Sequence, residues 1–370
     1  MKVFILATDV FFKGGIQRYT RYQYKALIDI LGKENIFLYS FKQKDAFSFE
    51  ENIDVYFVEP YKGIIGKLNF LYKILVDVKN LKPDLIIVNH INLSPVGYII
   101  KKSFGISYFT NVYGLEIWSG LNRIKIKSLL QSDKIIGDCM FILNYINRNL
   151  GVKKEKMELL YDPVDINRFK PDEKKDYLYY KYNIPKGKFI ILTVGRLDRF
   201  KGHSLVIDAM QFLPNDIIYL IVGGGVLEKA LKEKVNKLGL EDKVIFTGRV
   251  PEDEIVDFYN ICDIFILISK FDKNEGEGLP LTPIEAAACG KPIIVGNEDG
   301  SKEAVINGFN GFAINPDDIQ TLIEKILLLY KDRELLTKMG ANSRTFVTES
   351  FNFDIFKQKL ENIVCDVGIL

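Results

Sequence analysis

The sequence predicts two consecutive doubly wound α/β domains, and three observations support this fold class. At 370 residues the chain exceeds the size at which one hydrophobic core stops growing. Short apolar segments rich in β-branched and aromatic residues alternate with amphipathic helical patterns, as in parallel sheets covered on both faces. A polar stretch, 170–188, interrupts this alternation once, and the pattern then starts again.

The first half of the chain contains the strands and helices of one such domain. Continuous apolar runs predict strands, and apolar residues three and four positions apart predict helices. The predicted strands are Val3–Thr8, Ile36–Ser40, Val55–Val58, Leu85–Asn89, Tyr108–Val112 and Lys134–Gly137, and the predicted helices include Tyr19–Leu31 and Leu68–Leu81.

The second half repeats the pattern, which one barrel would not explain. Because ligands bind beyond the carboxyl ends of parallel strands, we expect the facing strand ends of the two domains to line an interdomain cleft. The final helix has an apolar stripe that predicts packing against the body of the protein. The predicted strands are Phe189–Val194, Ile217–Val222, Val244–Thr247, Ile264–Ser269, Pro292–Val295 and Gly311–Ile314, and the predicted helices are His203–Leu213, Leu227–Leu238 and Phe351–Val367.

Composition and charge limit the classes of function. With 48% hydrophobic and 26% charged residues, and no apolar run near about 18 residues, the chain is predicted to be a globular protein of the cytoplasm. Its four cysteines have no paired or metal-like spacing, which fits a reducing compartment. Residues 1–160 hold 23 Lys and Arg against 15 Asp and Glu, a net +8, whereas residues 161–370 hold 27 against 33, a net −6.

The basic half suggests a peripheral contact with an anionic membrane, on the inner face of the plasma membrane. Five lysines interleave with Ile, Leu, Phe and Tyr over residues 61–82. The alternative is an amphipathic helix that packs on the sheet with its lysines in solvent, and the sequence leaves both open. No nucleic-acid partner is predicted.

The segment from Glu277 to Glu285, Glu-Gly-Leu-Pro-Leu-Thr-Pro-Ile-Glu, carries the strongest chemical signal. A helix that begins after a glycine-containing loop offers free N–H groups and a positive dipole end, which suit a diphosphate. Neighbouring carboxylates can accept hydrogen bonds from sugar or ribose hydroxyls. The competing interpretation is a capping box, in which Thr282 caps the helix and Glu285 reaches back to it.

Three other segments follow predicted strands and are candidates for a site. Arg196 and Lys201 lie on one strand-to-helix turn, where they could neutralise phosphates or simply be solvated. The pair Gly14-Gly15 lets backbone approach a ligand closely but does not form a dinucleotide fingerprint. His90 ends a strand, where it could bind a substrate hydroxyl or serve the structure.

Two further expectations concern histidine and metal. His203 begins a helix and is expected at the surface or as a cap. No clustered set of His, Cys and carboxylates and no chelating Asp-x-Asp pair is found in the sequence, so no obligatory metal and no cofactor are predicted.

Together these segments resemble glycosyltransferase family 4, the retaining enzymes of the GT-B fold. Glu277 and Glu285 match the two glutamates of the family, and Gly195-Arg196-Leu197 with Lys201-Gly202 matches its basic element. A looser match is Gly300-Ser301-Lys302-Glu303. The acceptor side departs from the family, because Asp162-Pro163 stands where many relatives have Asn-Gly and Tyr113 where they often have histidine.

The resemblance implies two Rossmann-like domains, an acceptor-binding domain at 1–165 and a donor-binding domain at 166–350, with a helix at 351–370 that returns to the first domain. It implies that Arg196 and Lys201 hold the diphosphate and that Glu285 binds the ribose. It further implies that Glu277 contacts the transferred sugar, and that His90 lies near sugar and acceptor. The remaining donor-binding residues implied are Gly14, Gly15, Gly278, Leu279, Pro280 and Leu281.

The implied function is retaining transfer of a hexose from a nucleoside-diphosphate-sugar to a hydroxyl of a glycan or lipid-linked acceptor. The expected context is the synthesis of bacterial-type surface polysaccharide or lipopolysaccharide. Two alternatives stay open at this point: a nucleotide-sugar 2-epimerase of the same fold, and a non-catalytic protein that binds nucleotide-sugars.

Overall fold

The computed structural model describes residues 1–12, 14–43, 53–272 and 275–365. By its contacts the chain divides into two units. Unit 1 comprises Met1–Pro163 together with the residues from Phe353 onward, and unit 2 comprises Val164–Asn352. Each unit is built on one parallel sheet.

Unit 1 contains a sheet of seven parallel strands in the order β3-β2-β1-β4-β5-β6-β7. The strands are β1 Val3–Ala7, β2 Ile36–Ser40, β3 Phe57–Val58, β4 Leu85–Val88, β5 Ser107–Val112, β6 Lys134–Gly137 and β7 Met157–Leu159. The helices between them are α1 Gly15–Leu31, α2 Gly63–Leu81, α3 Ser94–Phe104, α4 Leu115–Trp118, α5 Arg123–Gln131 and α6 Met140–Leu150.

Unit 2 contains a sheet of six parallel strands in the order β10-β9-β8-β11-β12-β13. The strands are β8 Phe189–Val194, β9 Ile217–Val222, β10 Val244–Gly248, β11 Ile264–Leu267, β12 Ile293–Gly296 and β13 Gly311–Ile314. The helices are α7 Asp176–Lys181, α8 His203–Ala209, α9 Glu228–Leu238, α10 Ile255–Ile261, α11 Leu281–Ala288, α12 Ile319–Lys331 and α13 Arg333–Ser350.

The last helix, α14 (Phe353–Cys365), packs on unit 1, as the apolar stripe predicts. Its residues Phe356, Leu360 and Ile363 join the core that α1 and one face of β1 form. The ring of Phe356 lies edge-on to the ring of Tyr19, with centroids 5.5 Å apart. The end of the predicted helix, Asp366 and Val367, lies outside the described residues.

Successive side chains of a central strand enter opposite faces of the unit 1 sheet, because a strand alternates with a period of two. Val3 and Ile5 of β1 face the core that contains α1 and α14. Phe4 and Leu6 face a second core, which α2 and α3 cover. The sheet is thus buried on both sides, which explains why its strands are continuous apolar runs.

The structure corrects several predicted boundaries. Helix α2 begins five residues earlier than predicted, at Gly63, and the predicted strand Val55–Val58 is reduced to β3. Helix α8 ends at Ala209 and continues as a 3₁₀ turn, Met210–Phe212. Part of the predicted polar linker forms α7, because Leu178 is apolar enough to be buried there.

Candidate functional site

The strand order of unit 2 places a switch point at the carboxyl ends of β8 and β11. The chain runs outward from β8 to β9 and β10, and then crosses back to β11 on the other side. Loops that follow the two strands at such a point diverge and leave room for a ligand. The loop after β8 carries Arg196 and Lys201, and the loop after β11 carries Glu277.

Gly202 allows these two loops to meet. It has a φ of 74°, and a Cβ on it would lie 1.9 Å from the carbonyl oxygen of Ile268, just beyond β11. The Lys270 N–H also donates to the Phe200 carbonyl at 2.9 Å. A glycine is therefore required for the close approach that carries Lys201 to the second loop.

Lys201 and Glu277 form an ion pair at this junction. The Lys201 ammonium contacts the Glu277 carboxylate, and the two side chains are 11% and 16% exposed. The backbone of Glu277 is fixed as well, because its N–H donates to Asp299 Oδ2 at 3.1 Å and its carbonyl accepts from the Gly300 N–H at 3.2 Å. The two residues that the resemblance assigns to diphosphate and sugar are thus adjacent.

Asp299 supports this pair and is missing from the predicted site. It is fully buried, and it accepts hydrogen bonds from the N–H groups of Glu277 and, at 3.0 Å, Ser301. Burial raises its pKa, and the nearby Glu277 carboxylate adds to the rise. Its one sequence signal was its position, because Asp299 follows the carboxyl end of β12 and precedes the Gly300-Ser301 element.

Arg196 lies on the same turn as Lys201 but is largely exposed. Its Nε lies 3.3 Å from the Asp198 carboxylate, and its side chain is 67% exposed. Its carbonyl oxygen lies 3.3 Å from His203 Nε2, while His203 Nδ1 lies 3.1 Å from the Tyr219 hydroxyl. His203 is therefore buried below the turn, and the expectation of a surface or capping histidine is wrong.

The capping-box interpretation of Glu285 is also wrong. Helix α11 begins at Leu281 with Pro280 as its N-cap, so Thr282 is already the second helical residue and its side chain does not cap. The buried Glu285 carboxylate instead accepts a hydrogen bond from the Tyr259 hydroxyl at 2.7 Å. Pro283 is tolerated one turn into the helix because the first N–H groups have no intrahelical partner.

The four residues before and at the start of α11, Gly278 to Leu281, connect Glu277 with this helix. Leu279 and Pro280 are buried, whereas Gly278 and Leu281 are partly exposed. The first N–H groups of an α-helix point out of its N-terminus. The loop therefore brings a positive helix end next to the Lys201–Glu277 pair.

Unit 1 has its own switch point between β1 and β4. Gly15 is the first residue of α1, Gly14 is its N-cap, and a Cβ on Gly15 would meet nothing within 4 Å. Gly15 thus leaves the N-terminus of α1 open to close approach. His90 directly follows Asn89 at the end of β4, on the other side of the switch point.

His90 is neutral and has a defined tautomer. Its Nδ1 accepts a hydrogen bond from the Asn92 N–H at 3.1 Å, so the ring proton is on Nε2. Burial lowers the pKa of His90 to about 4, and the charges of Lys125 and Lys42 add to the effect. His90 can therefore donate a hydrogen bond from Nε2 at neutral pH without carrying a charge.

Below His90 lies a buried network of side-chain amides. The Asn111 amide donates to Gln23 at 2.9 Å and to Asn89 at 3.0 Å, and all three side chains are buried. The network links α1, β5 and the residue before His90. It thus fixes the backbone from which His90 projects.

No group of three or more His, Cys, Asp or Glu suited to a metal occurs among the residues that the structure describes. In that same part of the chain, none of the helices combines the length and apolarity needed to cross a membrane.

Each unit has a parallel sheet with a switch point, and the loops at that of unit 2 carry a lysine, an arginine and a glutamate. This arrangement is typical of the doubly wound α/β proteins that bind nucleotides. Solved structures agree with this fold. HepE of Anabaena in complex with UDP superposes with a TM-score of 0.83 at 19% identity, over 99% of this chain and 100% of that one. The chain therefore has the GT-B fold.

Sequence comparison gives the family. Residues 176–346, just under half of the chain, match the glycosyl transferases group 1 family, which confirms the resemblance. Mannosylfructose-phosphate synthase of Agrobacterium fabrum is 30% identical over 226 residues, 57% of this chain and 48% of that protein.

A second relative matches over more of the chain. The N,N'-diacetylbacillosaminyl-diphospho-undecaprenol alpha-1,3-N-acetylgalactosaminyltransferase of Campylobacter jejuni is 29% identical over 299 residues, 74% of this chain and 75% of that protein. The chain spans about half to two thirds of the length of the curated relatives that it matches first.

Proposed function

We propose that this protein is a glycosyltransferase that moves a hexose, with retention, from a nucleoside-diphosphate-sugar to a hydroxyl of a glycan or lipid-linked acceptor. The observation that carries this proposal is the Lys201–Glu277 pair at the switch point of unit 2. The Lys201 ammonium is suited to a diphosphate, and the Glu277 carboxylate is suited to sugar hydroxyls. A nucleotide-sugar carries both groups, so it requires such a pair of neighbouring side chains.

The donor is held by unit 2 in this proposal. Lys201 and the exposed Arg196 bind the diphosphate, and they stabilise the charge that grows on it as the glycosidic bond breaks. The loop from Gly278 to Leu281 adds N–H groups at the start of α11. Glu285, oriented by its hydrogen bond with Tyr259, accepts hydrogen bonds from the ribose hydroxyls. No metal is required, because these cations and N–H groups neutralise the diphosphate.

Unit 1 supplies two parts of the reaction. Gly15 leaves the N-terminus of α1 open for the donor phosphates, and Gly14, the N-cap residue, has the Gln17 side chain beside it. His90 donates a hydrogen bond from Nε2 to a hydroxyl near the reacting carbon. Retention follows from front-face attack, in which the leaving diphosphate takes the acceptor proton.

A panel of nucleotide-sugars tests the proposal. Purified protein is mixed with UDP-, GDP- and other nucleoside-diphosphate sugars, and thermal shift, released nucleoside diphosphate and the proton NMR spectrum of the sugar are followed. We expect one donor to stabilise the protein and to be consumed with retained anomeric configuration. Epimerisation at C2, inversion, or binding without any consumption in the presence of acceptor glycans would contradict the proposal.

The acceptor context is proposed to be a bacterial-type surface polysaccharide or lipopolysaccharide at the inner face of the plasma membrane. The Campylobacter relative is named for a diphospho-undecaprenol acceptor, which is lipid-linked. Helix α2 supports such a context, because it is apolar on two faces. Phe70, Ile74 and Val78 face the core, while Ile64, Ile65, Leu68 and Tyr72 are 63–75% exposed.

The exposed apolar face of α2 is flanked by Lys62, Lys67 and Lys79, and no acidic residue of the helix is exposed, because its one carboxylate, Asp77, is buried against Lys73. Such a helix binds the interface of an anionic bilayer. We expect cosedimentation with phosphatidylglycerol vesicles at low salt that Ile64→Ser with Leu68→Ser abolishes. The matched control is Val226→Ser, which removes an exposed apolar side chain from unit 2. Equal supernatant fractions with and without vesicles would refute membrane contact.

A further inference from the structure

The backbone of Glu277 is held beside Lys201, the residue proposed to bind the diphosphate. Its backbone is held on both sides, by Asp299 and by the Gly300 N–H. Its side chain is mostly buried and contacts the Lys201 ammonium. A phosphate that this ammonium binds therefore lies near the Glu277 carboxylate.

The charge of that phosphate differs between substrate and product. In a nucleotide-sugar the distal phosphate is linked both to the sugar and to the other phosphate, and it carries one negative charge. In the transfer step the bond between the anomeric carbon and the distal phosphate oxygen breaks, and a bond from that carbon to the acceptor oxygen forms. The acceptor proton passes to the leaving phosphate and then to solvent. In the product the distal phosphate is linked only to the other phosphate, so it gains a second ionisation at about pH 6, as in phosphate monoesters.

We infer that Glu277 is a specificity-determining residue that discriminates the nucleotide-sugar from the nucleoside diphosphate. With the sugar present, the carboxylate accepts hydrogen bonds from sugar hydroxyls. After the sugar has been transferred, the same carboxylate lies near a phosphate with more negative charge and no longer has the sugar hydroxyls as partners. The negative charges of the carboxylate and the phosphate then repel each other. The carboxylate therefore favours release of the product. This inference rests on the proposed donor site.

Isothermal titration of four ligands tests it: UDP, GDP, UDP-glucose and GDP-mannose. The proteins are the wild type, Glu277→Gln and Glu277→Asp. Glu277→Gln removes the charge, and we expect its Kd for the nucleoside diphosphate to fall about tenfold. Its Kd for the nucleotide-sugar should stay equal or rise, because the amide is a poorer acceptor. Glu277→Asp keeps the charge and should bind the nucleoside diphosphate within about twofold of the wild type.

A control variant tests the effect of charge alone. Asp208→Asn removes a carboxylate that pairs with Lys234 at 2.6 Å on the surface of unit 2, and it should leave every Kd unchanged. Circular dichroism checks folding, and Glu277→Ala replaces Glu277→Gln if the latter does not fold.

The outcomes separate the two proposals. Equal or weaker binding of nucleoside diphosphate by Glu277→Gln overturns the inference and leaves the proposed function intact. The same is true if both ligand classes tighten by the same factor. If neither wild type nor variant binds any of the four ligands, the proposed donor site itself is wrong for these nucleotides, and the inference falls with it.

Discussion

The two units share one topology but differ in the chemistry at their switch points. Unit 1 begins with the same strand order as unit 2, and in both the first strand lies beside the fourth. Unit 2 places a mostly buried ion pair and an exposed arginine there. Unit 1 places two glycines and a neutral histidine. The fold therefore sets where a ligand binds, and the loops set which chemistry it meets.

The largest effect is expected at Lys201, in the charged switch point of unit 2. Lys201→Ala should lower the rate of transfer by about 10²- to 10³-fold, because it removes a cation from the charge that develops on the diphosphate. Release of nucleoside diphosphate measures the rate. Lys234→Ala, which removes a lysine paired with Asp208 on the surface, is the control and should keep full activity. Full activity of Lys201→Ala would overturn the assignment.

The next largest effect is expected at His90, the neutral histidine at the switch point of unit 1. His90→Ala removes the Nε2 donor and should lower kcat by about 10²-fold if that hydrogen bond forms in the transition state. His90→Gln offers an amide N–H in nearly the same place and should recover part of the loss. Equal activity of the two variants would show that the ring acts by packing instead.

The pH dependence of kcat tests whether His90 acts in its neutral form. His90 has a pKa lowered to about 4, so it is neutral throughout the range from pH 5 to 8. Below about pH 4 the added proton turns Nδ1 into a donor and breaks its hydrogen bond with the Asn92 N–H. We expect the pH profile of kcat to have the same shape between pH 5 and 8 in the wild type and in His90→Gln. An inflection near pH 6.5 that His90→Gln removes would refute this.

A smaller effect is expected from the residue that holds the ion pair in place. Asp299→Asn keeps the shape but replaces one accepting oxygen with a donating NH₂, so it cannot serve both N–H groups. As a positioning residue it should raise the KM for the donor by about tenfold and change kcat less. Asp317→Asn, at an exposed pair with Lys270, is the control. An equal drop of kcat at unchanged KM would argue against positioning.

The sequence predicted the fold and the charged residues at the switch point of unit 2 because these are local signals. Continuous apolar runs identify buried strands such as β8 and β11, and Lys201 and Glu277 follow strands in the order that the resemblance requires. Asp299 and His203 escaped prediction because their roles depend on contacts across loops. A lone acidic residue or histidine has no periodicity that indicates burial, and only the fold brings Asp299 beneath Glu277.

The capping-box error has a related cause. The pattern Thr282-Pro283-Ile284-Glu285 fits a helix with Thr282 as its N-cap as well as one that begins at Leu281. The choice is made by Tyr259 of α10, whose hydroxyl binds the Glu285 carboxylate from outside the helix. A tertiary partner thus overrides a local capping preference of about 1 kcal/mol.

The last prediction concerns stability rather than activity, and it lies at His203. This residue is a buried neutral histidine in unit 2, the unit with the charged switch point. Burial lowers its pKa to about 4, below the unfolded value near 6.5. Stability from this source is therefore complete above about pH 6.5 and is lost as pH falls toward 4. From pH 7 to 5 the unfolding free energy of unit 2 should fall by about 2 kcal/mol from this group, and His203→Gln should lower that slope in urea titrations. An unchanged slope would show that His203 binds its proton as readily in the folded protein as in the unfolded chain.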